Sequence, residues 1–146
     1  MGAGSRFSTL GAQVSDLQAA TADRLLDAEA LFAAGRFASA VAMGVYALEI
    51  QLKVLICNRL NLTALPKAFE IHELESLLVL SGYQSAKDSA HTDVKFNWEK
   101  TVSRSLRINE MRYSASTNWN QTDVGEFFQQ LRDPPHGVLP WLMLQP

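Results

Sequence analysis

Apolar residues along this chain recur mostly at three- and four-residue steps, and the steps divide it into helices. From Ser15 to Ala34 the positions Leu17, Ala20, Leu25, Ala28, Leu31 and Phe32 form such a series, which predicts an amphipathic helix capped by Ser15 or Asp16 and ended by Gly35. Phe37 to Cys57 follows and is almost wholly apolar, interrupted only by Ser39, Glu49, Gln51 and Lys53. A helix apolar around most of its circumference must be surrounded by other helices or by lipid. Glu49 and Lys53 interrupt the run, so no apolar stretch reaches the roughly 20 residues that span a bilayer. The pattern therefore predicts the central helix of a soluble bundle, paired with the first helix in a hairpin.

Farther along, LNLTALPKAFE reads as a loop. HELESLLVLSG (72–82) reads as a short helix with Leu74, Leu77, Leu78 and Leu80 inward and Gly82 as its stop. YQSAKDSAHTD is expected to be a polar connection. Between Val94 and Tyr113 the apolar Phe96, Val102, Leu106, Ile108 and Met111 suggest a further helix, with Lys95, Lys100, Arg104 and Arg107 as a basic stripe. SASTNWNQ is expected to be a loop. Thr122 or Asp123 is the expected cap of a helix running through Leu131, which Pro134 and Pro135 break. GVLPWLML (137–144) is a last apolar piece. Strand signals are weak, no Asn-Gly or Asp-Gly hairpin turn occurs, and one helical hairpin without copies makes no solenoid.

The expectation is thus an all-α, up-and-down bundle of four to five helices, with residues 1–14 as a flexible N-terminal arm and 15–146 as a single domain. Its 146 residues fit one core. A hydrophobic share of 47% excludes wholesale disorder. The net charge of -2 gives no global field for nucleic acid, so an RNA site would have to be local. The single cysteine, Cys57, allows no internal disulfide and reads as a small core residue, in keeping with a cytoplasmic setting. The N-terminal MGAGSRFSTLGAQ lacks the apolar run of a secretory signal, and Arg6 departs from the myristoylation pattern.

Three segments in order carry a family resemblance: an arginine-opened central helix with an internal Glu-x-x-x-Lys (AGRFASAVAMGVYALEIQLKVLICNRL), a short His-x-Leu-x-x-Leu helix (Ile71 to Leu77), and NEMRYS before a closing helix. Together, over about residues 15 to 144, they resemble the HEPN domain (higher eukaryotes and prokaryotes nucleotide-binding). The resemblance implies a helical bundle, commonly a homodimer, that serves in prokaryotic defence or toxin-antitoxin assemblies as an RNA-cutting toxin, an RNA binder or a partner of another protein. Catalytic members carry an arginine followed after four to six residues by a histidine. Here only Arg132 and His136 come near that pattern, with Pro134 and Pro135 between them, and Arg112 has Asn118 where a histidine would stand. Asparagine can hold a phosphate but cannot be a general base.

These readings define the candidate residues. Arg104, Arg107, Asn109, Arg112, Tyr113 and Trp119 form the expected RNA- or nucleotide-binding region. For Arg112 and Tyr113 the alternative is a helix-end cap and a core aromatic; Trp119, between two asparagines, is expected to be exposed and available for stacking. Glu49 and Lys53 lie four apart in the favourable order, either as a buried pair at a seam or, the expected case, on the wet edge of their helix. His72 is expected to cap or pack at its helix start. His91, with Arg112 and Asn118, is the weak catalytic alternative. No metal site is expected, because the three histidines and one cysteine show no ligand spacing. No Gly-rich phosphate loop or cofactor motif occurs. The expected role is a binding module contacting RNA, nucleotide or a neighbour-encoded protein, against the alternatives of an atypical metal-independent ribonuclease and a purely structural adaptor, with no membrane partner.

Overall fold

The computed structural model describes residues 10–108, 113, 115 and 118–146. In chain order these form β1 (Leu10–Gln13), α1 (Val14–Ala33), α2 (Phe37–Arg59), β2 (Ala64–Pro66), a 3-10 turn (Lys67–Phe69), α3 (Leu74–Ser81), α4 (Gln84–Asp88), α5 (Thr92–Ser105), α6 (Gln121–Arg132) and α7 (Val138–Met143). The chain is mostly helical, as the periodicity predicts.

The α1–α2 hairpin turns at Gly35, whose φ is 75°. Left-handed backbone costs glycine little, and it lets the Arg36 amide reach back to the Leu31 carbonyl at 2.8 Å, the bond that closes a helix C-terminus. The far end of α2 closes the same way: Asn61 takes φ 57° and the Leu62 amide donates to the Cys57 carbonyl at 2.9 Å. Asparagine is among the few residues that tolerate this conformation. Beyond it, β2 pairs antiparallel with β1, tying the start of α1 to the segment after α2.

More than half of α2 is buried, from Ala38 to Cys57. It is long and apolar enough to cross a membrane, but most of that window is covered by the rest of the chain. Val41, Val45, Leu48, Leu52 and Ile56 pack in one core with Leu74, Leu77 and Leu78 of α3, Trp98 of α5, Phe127, Phe128 and Leu131 of α6 and Leu139 and Leu142 of α7. A smaller cluster of Leu17, Val54, Cys57 and Leu65 lies beneath the strand pair. Burial pushes the Cys57 thiol pKa up, so the cysteine is an inert core residue.

At Gly44, α2 runs close against α6. A Cβ on Gly44 would fall 2.7 Å from Phe127 Cε2 and 3.2 Å from Leu131 Cδ2. Gly44→Ala is therefore expected to destabilise the protein by about 1–3 kcal/mol through overpacking, although alanine is the better helix former by about 1 kcal/mol. Urea unfolding reads the sign directly; a gain in stability would mean that Phe127 is free to move.

Several expectations change. Leu10–Gln13 is a strand, so the arm is paired from residue 10; its short partner, Ala64–Pro66, carries no alternation that would reveal it. The α1 N-cap is Gln13, with no side-chain cap from Ser15 or Asp16. The expected polar connection contains α4 and the start of α5. His91 caps α5, its ring accepting from the Asp93 amide at 3.1 Å. Asn120, rather than Thr122 or Asp123, caps α6 by accepting from the Asp123 amide at 2.8 Å. The third helix begins at Leu74, its C-terminal carbonyls taken by Arg59, which donates to Leu80 O at 2.9 Å. The inward face of α5 is Val94, Trp98 and Thr101, while Phe96 and Leu106 are exposed.

Candidate functional site

Two ionisable residues inside an apolar helix require partners, because an unpaired buried charge costs several kcal/mol. On α2, Glu49 and Lys53 are each only 7% exposed, which overturns the expected wet edge. They satisfy one another: Lys53 Nζ donates to Glu49 Oε2 at 3.2 Å. The four-residue spacing places both on one face of α2, and the fold withdraws that face from water.

A third group arrives from the start of α3. His72 Nδ1 lies 3.0 Å from the same Glu49 Oε2, so the ring sits over the carboxylate, although 81% of the His72 side chain remains exposed. His72 thus bonds across to α2 instead of capping its own helix, whose N-cap, Glu73, makes no side-chain cap bond. Glu49 Oε1 receives no side-chain hydrogen bond among the described residues.

Of the triad, Glu49 and His72 but not Lys53 line a cleft of about 750 Å³. Its apolar wall includes Val45, Ile50, Leu74, Val102, Leu106 and Ile108; its polar groups include Arg24, Tyr46, Glu49, His72, Glu73 and Glu75. Three carboxylates therefore face one guanidinium. Arg24 is held by Asp27 at 3.0 Å, and its Nε is buried without a hydrogen-bond partner among the described residues. Glu75 is fixed from behind by the Trp98 indole, which donates to its Oε1 at 3.3 Å. An apolar enclosure with a few convergent polar groups is the usual form of a ligand or partner pocket.

The expected nucleic-acid region is arranged differently. Arg104 donates to Gln130 Oε1 and lies over the Phe127 ring, 5.8 Å from its centroid. Burial lowers its guanidinium pKa, while Glu126 and Asp123 oppose that effect. Arg107 stacks 4.0 Å from the centroid of Trp119. Trp119 is 4% exposed, so the expectation of a free stacking tryptophan is corrected: the loop folds its indole beneath Arg107. Tyr113 is exposed. Asn118 is exposed, its amide bonded to the Ala115 carbonyl at 3.0 Å. Asn109 and Arg112 lie outside the described residues.

The two residues of the near-motif take different partners. Arg132 pairs with Glu29 and, at 3.7 Å, with Asp133, whereas His136 stacks on His91. The sequence reading missed Arg24, Tyr46 and the Glu49–His72 contact; of the triad, its only local signal was Glu-x-x-x-Lys. Comparison with known proteins finds no matching family model, no similar curated protein and no similar solved structure.

Proposed function

We propose that this chain is a HEPN-like binding module, an up-and-down bundle of four to five main helices, acting in the cytoplasm within a prokaryotic defence or toxin-antitoxin assembly, as a homodimer or with a protein encoded nearby. Its working surface is the cleft lined by Glu49 and His72, and its ligand is a partner protein segment carrying apolar and basic side chains. The observation that carries this reading is the lining: an apolar wall under three carboxylates and a single arginine. Such a surface attracts a basic segment and repels a phosphodiester backbone. Arg104, one of the residues an RNA site needed, is engaged by Gln130 and the Phe127 ring, while Arg107 lies on the Trp119 ring and is itself exposed.

The ribonuclease reading is weaker. Its Asn118 cannot serve as a general base near neutral pH, and its His91 stands against His136.

The test is binding to the adjacent gene's product by calorimetry beside RNA binding by anisotropy. Glu73→Lys and Leu106→Asp, both at exposed cleft positions, are expected to weaken the protein complex at least about tenfold, with Lys100→Ala without effect. Steeply salt-dependent RNA affinity that falls with Lys95→Ala and Lys100→Ala, and is indifferent to the cleft variants, would overturn the reading in favour of an RNA binder.

A further inference from the structure

Away from the cleft, two histidines distant in sequence meet. His91 precedes α5 and His136 lies between α6 and α7. Their rings stack with centroids 4.0 Å apart and planes 7° from parallel. Asp93, in the first turn of α5, places its Oδ2 3.7 Å from His91 Nδ1. One donor atom from each of the three residues lies within 4.8 Å of the others. The His136 backbone is tied to α5 as well, because Asn97 Nδ2 donates to its carbonyl at 2.9 Å.

We propose that His91, Asp93 and His136 form a binding site for a borderline divalent transition-metal ion, of which Zn²⁺ is the reference case. The donor set selects the class: two imidazole nitrogens and one carboxylate suit Zn²⁺, Co²⁺ or Ni²⁺, whereas Ca²⁺ and Mg²⁺ require oxygen ligands. Ligands about 2.1 Å from a tetrahedral ion stand about 3.4 Å from one another, and the Asp93–His91 separation is already near that value. The third edge closes by side-chain rotation. His91 and Asp93 are exposed and can turn, while the His136 main chain is held by Asn97. In the parallel stack the two rings do not aim at one point, so binding opens it, and the ion takes the Nδ1 lone pair now used by the Asp93 amide. Three protein ligands leave a fourth position for water, the arrangement of an open site. The bound ion bridges the start of α5 to the α6–α7 connection, joining segments that in sequence lie on opposite sides of the Arg104 to Asn120 region.

The experiment uses tag-free full-length protein titrated with Co²⁺ and Zn²⁺. One equivalent is expected to bind with a Kd of about 10 µM or tighter, Co²⁺ developing visible d–d absorption and Zn²⁺ displacing it. His91→Ala and Asp93→Asn, at exposed side chains, are each expected to weaken binding at least about tenfold, with far-UV circular dichroism unchanged. His72→Ala is expected to have no effect. His136→Gln should behave as His91→Ala does; if it fails to fold, the two exposed variants decide. Absence of one-equivalent binding in this range, or binding indifferent to His91→Ala and Asp93→Asn, overturns the site.

Discussion

Lys53→Met is expected to destabilise the protein by about 3–5 kcal/mol, far more than the loss of a surface ion pair. Its ammonium is the hydrogen-bonded counter-charge of Glu49, and both residues are only 7% exposed. Removing it leaves a carboxylate in an apolar wall whose remaining partner, His72, is largely in water. Glu49→Leu alone should cost a similar amount, because the lysine is then stranded. The double variant Glu49→Leu/Lys53→Met should recover most of the loss and fall between neutral and about 4 kcal/mol more stable than the parent, since a desolvated pair repays little of its own burial. His72→Ala is expected to cost only about 0–1 kcal/mol, as an exposed pair does. A double-mutant cycle by urea unfolding gives the coupling. A cost below about 1 kcal/mol for Lys53→Met would show that water reaches the pair.

The double variant also separates stability from function. A stable Glu49→Leu/Lys53→Met protein that no longer binds its partner would mean that α2 retains its charges for recognition. The ionic pair is a weak device for holding a bundle together, and Leu or Met would serve the core as well. Glu49 lines the same cleft as Glu73 and Glu75, whereas Lys53 does not.

How much of this was legible in the sequence depended on whether a feature is set within one helix or between helices. The α1–α2 hairpin was legible because a long apolar run and Gly35 act locally. That Glu49 and Lys53 share a face follows from helical spacing; that the face is dry does not, because it depends on how neighbouring elements dock on α2. His72 meets Glu49 only through that docking, and His91 meets His136 only through the turn after α6. Trp119 misled because flanking asparagines suggested a wet loop, whereas Arg107 and the core close over its indole. The strand pair was too short to leave a periodic trace.

The face of α5 has a measurable consequence of the same size as that of Lys53→Met. Phe96, Val102, Leu106, Ile108 and Met111 are the apolar residues that suggest this helix, but Val94, Trp98 and Thr101, at four- and three-residue steps, are its buried positions. Trp98 is 1% exposed and Phe96 50%. Trp98→Ala is therefore expected to cost about 3–5 kcal/mol, from the lost transfer energy and the cavity left among Leu, Phe and Val side chains. Glu75 also loses its indole donor, which adds to the loss and frees a carboxylate at the cleft. Phe96→Ala, which removes a ring lying under Lys100 at 5.5 Å, should stay within about 0.5 kcal/mol. Urea unfolding of the two variants ranks them without reference to any ligand. The ranking bears on function because the docking that buries Trp98 also seats Arg104 against Gln130 and Phe127. If Phe96→Ala proved the costlier change, α5 would be turned about its axis, Arg104 would lose that seat, and the case against a phosphate-binding stripe would fall with it.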